Sequence, residues 1–278
     1  MLSTHHTWPY PTLFAHRGGG SLAPENTLSA MKVGRQHGYL AFEFDVKLSK
    51  DGVAILMHDA TLERTTNGRG AVADTDVAAL EMLDAGSWYS NKFEGERIPR
   101  FSAIATFLHG YGLLANVEIK PNPGQDAETG RVIAGLCAEL WGDRHVKPLF
   151  SSFSVDALRA ARSVANDWPM GLLVKAPEVT SLELLRELRC VSLHCHQAYA
   201  DADMIRAFHA AGFRVLTYTV NEPERAAQLI ANGVDGIFTD ALDAMARRFP
   251  AALSDAGKPV RDAVELDMSW LNAVPPMP

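Results

Sequence analysis

Residues 214–239, RVLTYTVNEPERAAQLIANGVDGIFT, hold the repeating unit of the fold. Arg214–Thr219 and Val234–Thr239 are short β-type runs, and between them Pro223–Asn232 has helical spacing closed by Gly233. A strand, a helix and a second strand in this order form the unit of a parallel sheet covered by helices. Working outward, the same alternation predicts strands at Thr12–His16, Ala41–Val46, Leu114–Ile119, Val146–Ser152, Gly171–Lys175 and Cys190–His194. Helical periodicity falls at Thr27–His37, Ala127–Leu140, Val155–Ala165, Ser181–Arg189 and Asp201–Ala211, with Asn26 or Thr27 as cap of the first and Gly212 ending the last. Eight strand–helix units in one chain predict an α/β fold of the (β/α)8 TIM-barrel type, with an open doubly wound sheet as the structural alternative.

Two stretches break the rhythm. Val53–Met57 follows Lys50-Asp51-Gly52 and is expected to turn back from the second strand as an excursion outside the barrel. Residues 59–101 form an insertion containing Gly68, Gly70, Gly86, Gly95, Trp88, Tyr89 and Phe93, expected to sit as a small subdomain over one rim. The organisation is thus a barrel over residues 1–253, including the 59–101 insertion, and a C-terminal tail over residues 254–278 that packs outside the barrel or frays.

The chain has 278 residues, 47% hydrophobic and 21% charged, which suits one large core or two small domains and excludes a disordered, collagen-like or disulfide-stapled protein. Its 26 basic and 33 acidic residues give a net charge of -7, which argues against a broad grip on nucleic acid. Cys137, Cys190 and Cys195 have no metal-ligand spacing and suit reduced thiols in a cytoplasmic protein. No basic leader with an apolar run opens the sequence, and no apolar stretch is long enough to span a bilayer, so stable membrane insertion is not expected. The sequence leaves the oligomeric state open, a homo-oligomer included.

Polar residues recur where predicted strands end, and in a (β/α)8 barrel those ends converge on one face. The first strand ends in His16-Arg17, the second carries Glu43 and Asp45, and the third ends in Glu118-Ile119-Lys120. A spacing of two puts Glu43 and Asp45 on one side of their strand, and likewise Glu118 and Lys120. Glu43, Asp45 and Glu118 make an oxygen set suited to one Mg²⁺ or Ca²⁺ ion, while the same spacing also fits surface acids or ion-pair partners. His16 and His58 suit proton transfer, and Arg17 and Lys120 suit phosphate oxygens; core packing of a histidine and an Arg17–Glu25 pair are the structural alternatives. Gly18-Gly19-Gly20 is neither a Walker loop nor a dinucleotide fingerprint and reads as room for substrate or as a sharp bend.

Taken together, these segments resemble the glycerophosphodiester phosphodiesterase family, especially its bacterial cytosolic members. The resemblance is carried by His16-Arg17-Gly18, Pro24-Glu25-Asn26-Thr27, Glu43-Phe44-Asp45-Val46, Lys50-Asp51-Gly52 and His58-Asp59. It continues through Leu62–Gly68, Glu118-Ile119-Lys120, Ser152-Phe153, Thr219-Val220-Asn221 and Asp235–Asp240, spanning residues 12–249. It implies a metal-dependent hydrolase that converts glycerophosphodiesters to sn-glycerol 3-phosphate and an alcohol. It further implies one Mg²⁺ or Ca²⁺ on Glu43, Asp45 and Glu118, acid–base roles for His16 and His58, and phosphate binding by Arg17 and Lys120. Glu25, Asn26 and Asp240 are expected as supporting residues. Tyr218 stands where the family often has tryptophan, and is expected to line the substrate site or to pack in the barrel. The competing functions are a phospholipase-like phosphodiesterase and a non-catalytic phosphate- or metabolite-binding protein.

Overall fold

The chain order in the computed structural model is β1 (Leu13–Ala15), α1 (Leu28–Gln36), β2 (Ala41–Leu48), β3 (Ala54–Leu56), α2 (Val77–Leu80), α3 (Phe101–Gly110), β4 (Leu114–Ile119), α4 (Asp126–Trp141), β5 (Leu149–Ser152) and α5 (Val155–Val164). It continues with β6 (Met170–Val174), α6 (Val179–Glu187), β7 (Ser192–His196), α7 (Ala202–Ala210), β8 (Arg214–Tyr218), α8 (Pro223–Ala231), β9 (Gly236–Thr239) and α9 (Leu242–Arg248). The structure describes residues 8–142 and 144–255; the part of the expected tail beyond Asp255 lies outside them.

Parallel pairing runs β1–β2–β4–β5–β6–β7–β8–β9 and returns from β9 to β1. The ring closes, which is the (β/α)8 barrel and overturns the open-sheet alternative. As expected for an excursion, β3 turns back antiparallel on the end of β2, with Val46 opposite Leu56.

Strand alternation divides the residues between two cores. Phe42, Phe44 and Val46 of β2 join the large apolar layer between sheet and helices, while Glu43 and Asp45 point the other way. Below them Phe14, Leu149, Leu216 and Phe238 form an apolar floor with Trp8 and Tyr10. The floor leaves polar side chains at the opposite, C-terminal mouth as the chemically distinct end. Thr27 caps α1 by accepting from the Ala30 amide at 3.1 Å, and Ser154 and Asp201 cap α5 and α7 in the same way.

The structure departs from the sequence reading in several places. The expected strand Cys190–His194 is displaced to Ser192–His196, because Arg189 takes a left-handed backbone (φ 51°) and the Cys190 amide bonds back to Leu185 at 2.8 Å. The displacement puts His194 inside the barrel and His196 at its mouth. The run Val146–Ser152 is paired as strand only over Leu149–Ser152. Helices α3 and α9 were not foreseen: α3 is apolar on several sides, so its period is weak, and α9 has only seven residues.

Between β3 and α3 the chain folds over its own apolar cluster of Ile55, Met57, Leu62, Val72, Val77, Leu80, Ala85 and Ile98. Asp84 organises this layer by accepting the amides of Gly86, Ser87 and Gly95, each at 2.8 Å. Among the contacts that dock it on the first barrel unit, Glu96 accepts from the Ser29 amide at 3.2 Å, and Tyr89 Oη donates to the Ser21 carbonyl at 2.7 Å. Among the described residues, no helix is long and apolar enough to cross a membrane.

The far end of the barrel holds a buried ion cluster. Asp235 accepts from His209 Nε2 at 2.6 Å, Arg214 Nη1 at 2.9 Å and the Val215 amide at 2.9 Å. Burial alone would raise its pKa, but His209, the Val215 amide and Arg214 outweigh it and hold the carboxyl below its usual range. The stability it contributes is therefore present above the ordinary aspartate value of 3.8 and is lost as pH falls through the lower folded value. Asp235→Asn should cost about 3 kcal/mol, since it strands buried partners. The midpoint of thermal unfolding at pH 7 should then fall by roughly 10 °C; a midpoint within about 2 °C of wild type would remove Asp235 from this role.

Candidate active site at the barrel mouth

Glu43 and Asp45 rise from β2 and Glu118 from β4, and the parallel register sets Asp45 opposite Glu118. One carboxylate oxygen from each lies within 4.8 Å of the others. The three residues are 4%, 1% and 9% exposed. Such proximity without a cation is unfavourable, and the carboxyl pKa values record it. Burial, then the neighbouring Asp45 charge, push both Glu43 and Glu118 above the usual glutamate range. For Asp45 burial acts in the same direction, but Lys120 and Arg17 outweigh it and keep the carboxyl ionised. A compact set of hard oxygen donors carrying excess negative charge fits a divalent cation.

Two cations flank the carboxylates. Lys120 Nζ lies 2.6 Å from Glu118 and 3.3 Å from Asp45. Arg17 donates its backbone amide to Glu43 at 2.9 Å and Nη1 to Glu25 at 2.8 Å; its buried Nε has no hydrogen-bond partner and lies 3.5 Å from Asp45. The expected Arg17–Glu25 pair is therefore present, and it coexists with a place beside the carboxylates.

The loop after β1 achieves this by bending sharply. Arg17 has φ 49° and Gly18 φ 87°, both left-handed. Gly20 is also left-handed, and a Cβ there would lie 2.3 Å from the Asp240 carbonyl oxygen. The three-glycine run is thus a bend packed on the β9 loop, with the Ser21 amide donating to that same carbonyl at 2.8 Å. Asn26, left-handed at φ 60°, fastens the loop to β2: its Nδ2 donates to Asp45 at 2.9 Å and its Oδ1 accepts the Asp45 amide at 3.1 Å.

Each histidine is held through Nδ1 by an aspartate. His16 meets Asp240 at 2.6 Å, and Asp240 is fixed by Asn221, which donates to its carboxylate at 3.2 Å and accepts its amide at 2.8 Å. His58 meets the adjacent Asp59 at 2.8 Å. Nε2 is left facing away from the aspartate in both cases; that of His16 lies 3.7 Å from Glu43. The fields differ. Burial lowers the pKa of His58, with Arg17 and Lys120 adding to it, whereas at His16 Asp240 and Glu43 outweigh burial and raise it.

Arg64, which the sequence reading used only as part of a motif, lies beside this group. It donates to Asp59 at 2.6 and 3.0 Å and to Glu25 at 2.7 and 2.8 Å. The sequence reading also missed Lys47, which shares a face with Glu43 and Asp45; its buried Nζ donates to the Lys120 carbonyl at 3.0 Å, and burial pulls its pKa down to about 8. The spacing Glu43, Asp45, Lys47 was the available signal.

Tyr218 ends β8 half-buried. Its Oη donates to the Val174 carbonyl at 2.8 Å, and its ring meets Phe153 and His196 edge-on at 5.8 and 6.0 Å. Phe153 is 48% exposed, and Lys120 Nζ stands 5.5 Å from its ring centre. The aromatic residues therefore line the rim on the Lys120 side.

Eight parallel strands with acids, bases and two aspartate-held imidazoles at the C-terminal mouth define a barrel hydrolase site. Residues 16–244 match the glycerophosphoryl diester phosphodiesterase family. A glycerophosphodiester phosphodiesterase of Caldanaerobacter subterraneus is 32% identical over 232 residues, covering 82% of this chain and 93% of that protein. One from Bacillus subtilis is 28% identical over 240 residues, covering 81% and 82%. The structure of an Oleispira antarctica phosphodiesterase in complex with the product sn-glycerol-3-phosphate superimposes with a TM-score of 0.81 at 34% identity, covering 87% of this chain and 97% of that one. The chain belongs to the glycerophosphoryl diester phosphodiesterase family, a class of phosphoric diester hydrolases.

Proposed function

We propose that this protein hydrolyses glycerophosphodiesters to sn-glycerol 3-phosphate and an alcohol. The observation that carries the reading is the pair of aspartate-held imidazoles beside a buried three-carboxylate cluster with two cationic side chains. The Oleispira antarctica phosphodiesterase, solved in complex with the product sn-glycerol-3-phosphate, supports the same product. Glu43, Asp45 and Glu118 would hold one Mg²⁺ or Ca²⁺. Bound there, such an ion supplies Lewis acidity toward a phosphoryl oxygen.

The rest is the work of the chain's own groups. Arg17 and Lys120 take the phosphate oxygens; Lys120 exchanges part of its carboxylate contact for them, and the Arg17 Nε is the donor still to be satisfied. One imidazole removes the proton from the attacking oxygen, either water directly or the neighbouring glycerol hydroxyl, in which case the cyclic phosphate so formed is opened by water in a second step to give glycerol 3-phosphate. The other gives a proton to the departing alkoxide. Asp240 and Asp59 hold each ring in the tautomer with hydrogen on Nδ1, leaving Nε2 for the transfer. Asn26 and Glu25 keep the Arg17 loop in place, and Tyr218 forms part of the wall for the alcohol headgroup.

A panel of glycerophosphocholine, glycerophosphoethanolamine and glycerophosphoglycerol tests the reading. Glycerol 3-phosphate should be released from all three, and failure on every member of the panel would sink the assignment. Tyr218→Ala should change the ranking of kcat/KM across the panel by roughly tenfold, the scale of about 1.4 kcal/mol of altered contact. An unchanged ranking would assign Tyr218 to barrel packing alone.

A further inference from the structure

Arg64 sits on the insertion, not on the barrel, yet its guanidinium joins two chains of contacts that lead into the site. In one, Arg64 binds Asp59 in a fork, and Asp59 holds His58 Nδ1. In the other, Arg64 binds both oxygens of Glu25, one of which also accepts from Arg17 Nη1 at 2.8 Å. A planar fork can satisfy two carboxylates at once, which a lysine ammonium on a flexible stem does not reproduce. The side chain is 44% exposed, so this arrangement is not needed to keep a charge out of the core.

We propose that Arg64 is a positioning residue that registers the insertion against the barrel, so that the His58 imidazole and the Arg17 guanidinium are set for the same phosphodiester. The inference rests on the phosphodiesterase reading above. Without Arg64, Asp59 loses the partner that fixes its carboxylate plane, and His58 gains rotational freedom. Glu25 is then left with Arg17 alone. The reacting groups remain present but lose their mutual geometry, and a misplacement of about 1 Å is enough to cost about 10²-fold in rate.

The test compares wild type, Arg64→Ala, Arg64→Lys, Asp59→Asn and the Arg64→Ala/Asp59→Asn double variant in the full chain. Turnover of glycerophosphocholine is measured with saturating Mg²⁺ or Ca²⁺, and thermal unfolding is followed alongside. Arg64→Ala should lower kcat by roughly 10–100-fold, with a smaller change in KM. Arg64→Lys should recover only part of the loss, and guanidinium ion added at millimolar concentration should raise Arg64→Ala activity several-fold. The double variant should lose less than the product of the two single losses, because both act through Asp59. A folded Arg64→Ala enzyme with kcat within twofold of wild type would overturn the proposal. Multiplicative losses in the double variant would overturn the route through Asp59. Should Arg64→Ala fail to fold, the lysine variant decides: wild-type kcat there overturns the need for a fork. An inactive wild type would instead refute the phosphodiesterase reading, so the two failures are separable.

Discussion

Replacing His16 or His58 by asparagine is expected to lower kcat for glycerophosphodiester hydrolysis by roughly 10²–10⁴-fold, the range for loss of a positioned acid or base. Asparagine is the informative choice because its amide nitrogen can still face Asp240 or Asp59, so the surrounding hydrogen bonds have a substitute donor. What it cannot do is carry a proton. His16 and His58 side chains are 16% and 30% exposed, so neither substitution opens a cavity in a sealed core, and thermal unfolding should stay near wild type. Asp240→Asn keeps His16 but weakens the hold on its ring, and should cost less than His16→Asn itself. Near-wild-type kcat in either histidine variant would exclude that residue from proton transfer.

The second large effect concerns the carboxylates. Three buried acids share a space of 4.8 Å, and Lys120 and Arg17 offset only part of their charge. Adding Mg²⁺ or Ca²⁺ at about 100 times its Kd should stabilise the wild type by about 2.7 kcal/mol, a rise of roughly 5–10 °C in the unfolding midpoint for a chain of this size. Glu43→Gln should abolish that response and reduce turnover by at least about 10²-fold, the scale on which lost electrostatic stabilisation acts. In chelator the order reverses. The variant should be as stable as wild type or more so, because a neutral amide replaces a carboxyl whose charged form burial and Asp45 already disfavour. Calorimetry and turnover on the same samples check both statements. An equal midpoint shift in wild type and Glu43→Gln would show that the ion binds elsewhere.

Much of this arrangement could be read from the chain. Period-two spacing placed Glu43 with Asp45 and Glu118 with Lys120, because pleating enforces it whatever the tertiary context. Their approach across β2 and β4 follows from parallel pairing, whose register no single strand specifies. What was not legible were contacts made by loops. Arg64 reaches Glu25 across 39 positions and Asp240 reaches His16 across 224, and nothing local to either residue encodes the partner. The β7 displacement has a similar cause: the apolar run Cys190-Val191 resembles strand, but the left-handed turn at Arg189 ties the Cys190 amide back to Leu185, so the backbone joins its neighbours only from Val191 and regular strand starts at Ser192. In the terminal motif, the two acids of Asp235–Asp240 separate to opposite ends of β9, one bracing the barrel floor and the other orienting a mouth histidine. The motif gave their order, and only the strand between them gave their different work.

Phosphorus-31 NMR of glycerophosphocholine turnover, recorded with Mg²⁺ or Ca²⁺ and again after chelation, addresses the cation-centred chemistry at its source. The expected spectrum gains the sn-glycerol 3-phosphate resonance, stops changing when chelator is added, and resumes on return of the ion. Appearance of phosphocholine instead, or conversion that continues unchanged in metal-free protein, would contradict a site in which Glu43, Asp45 and Glu118 serve a cation beside His16 and His58.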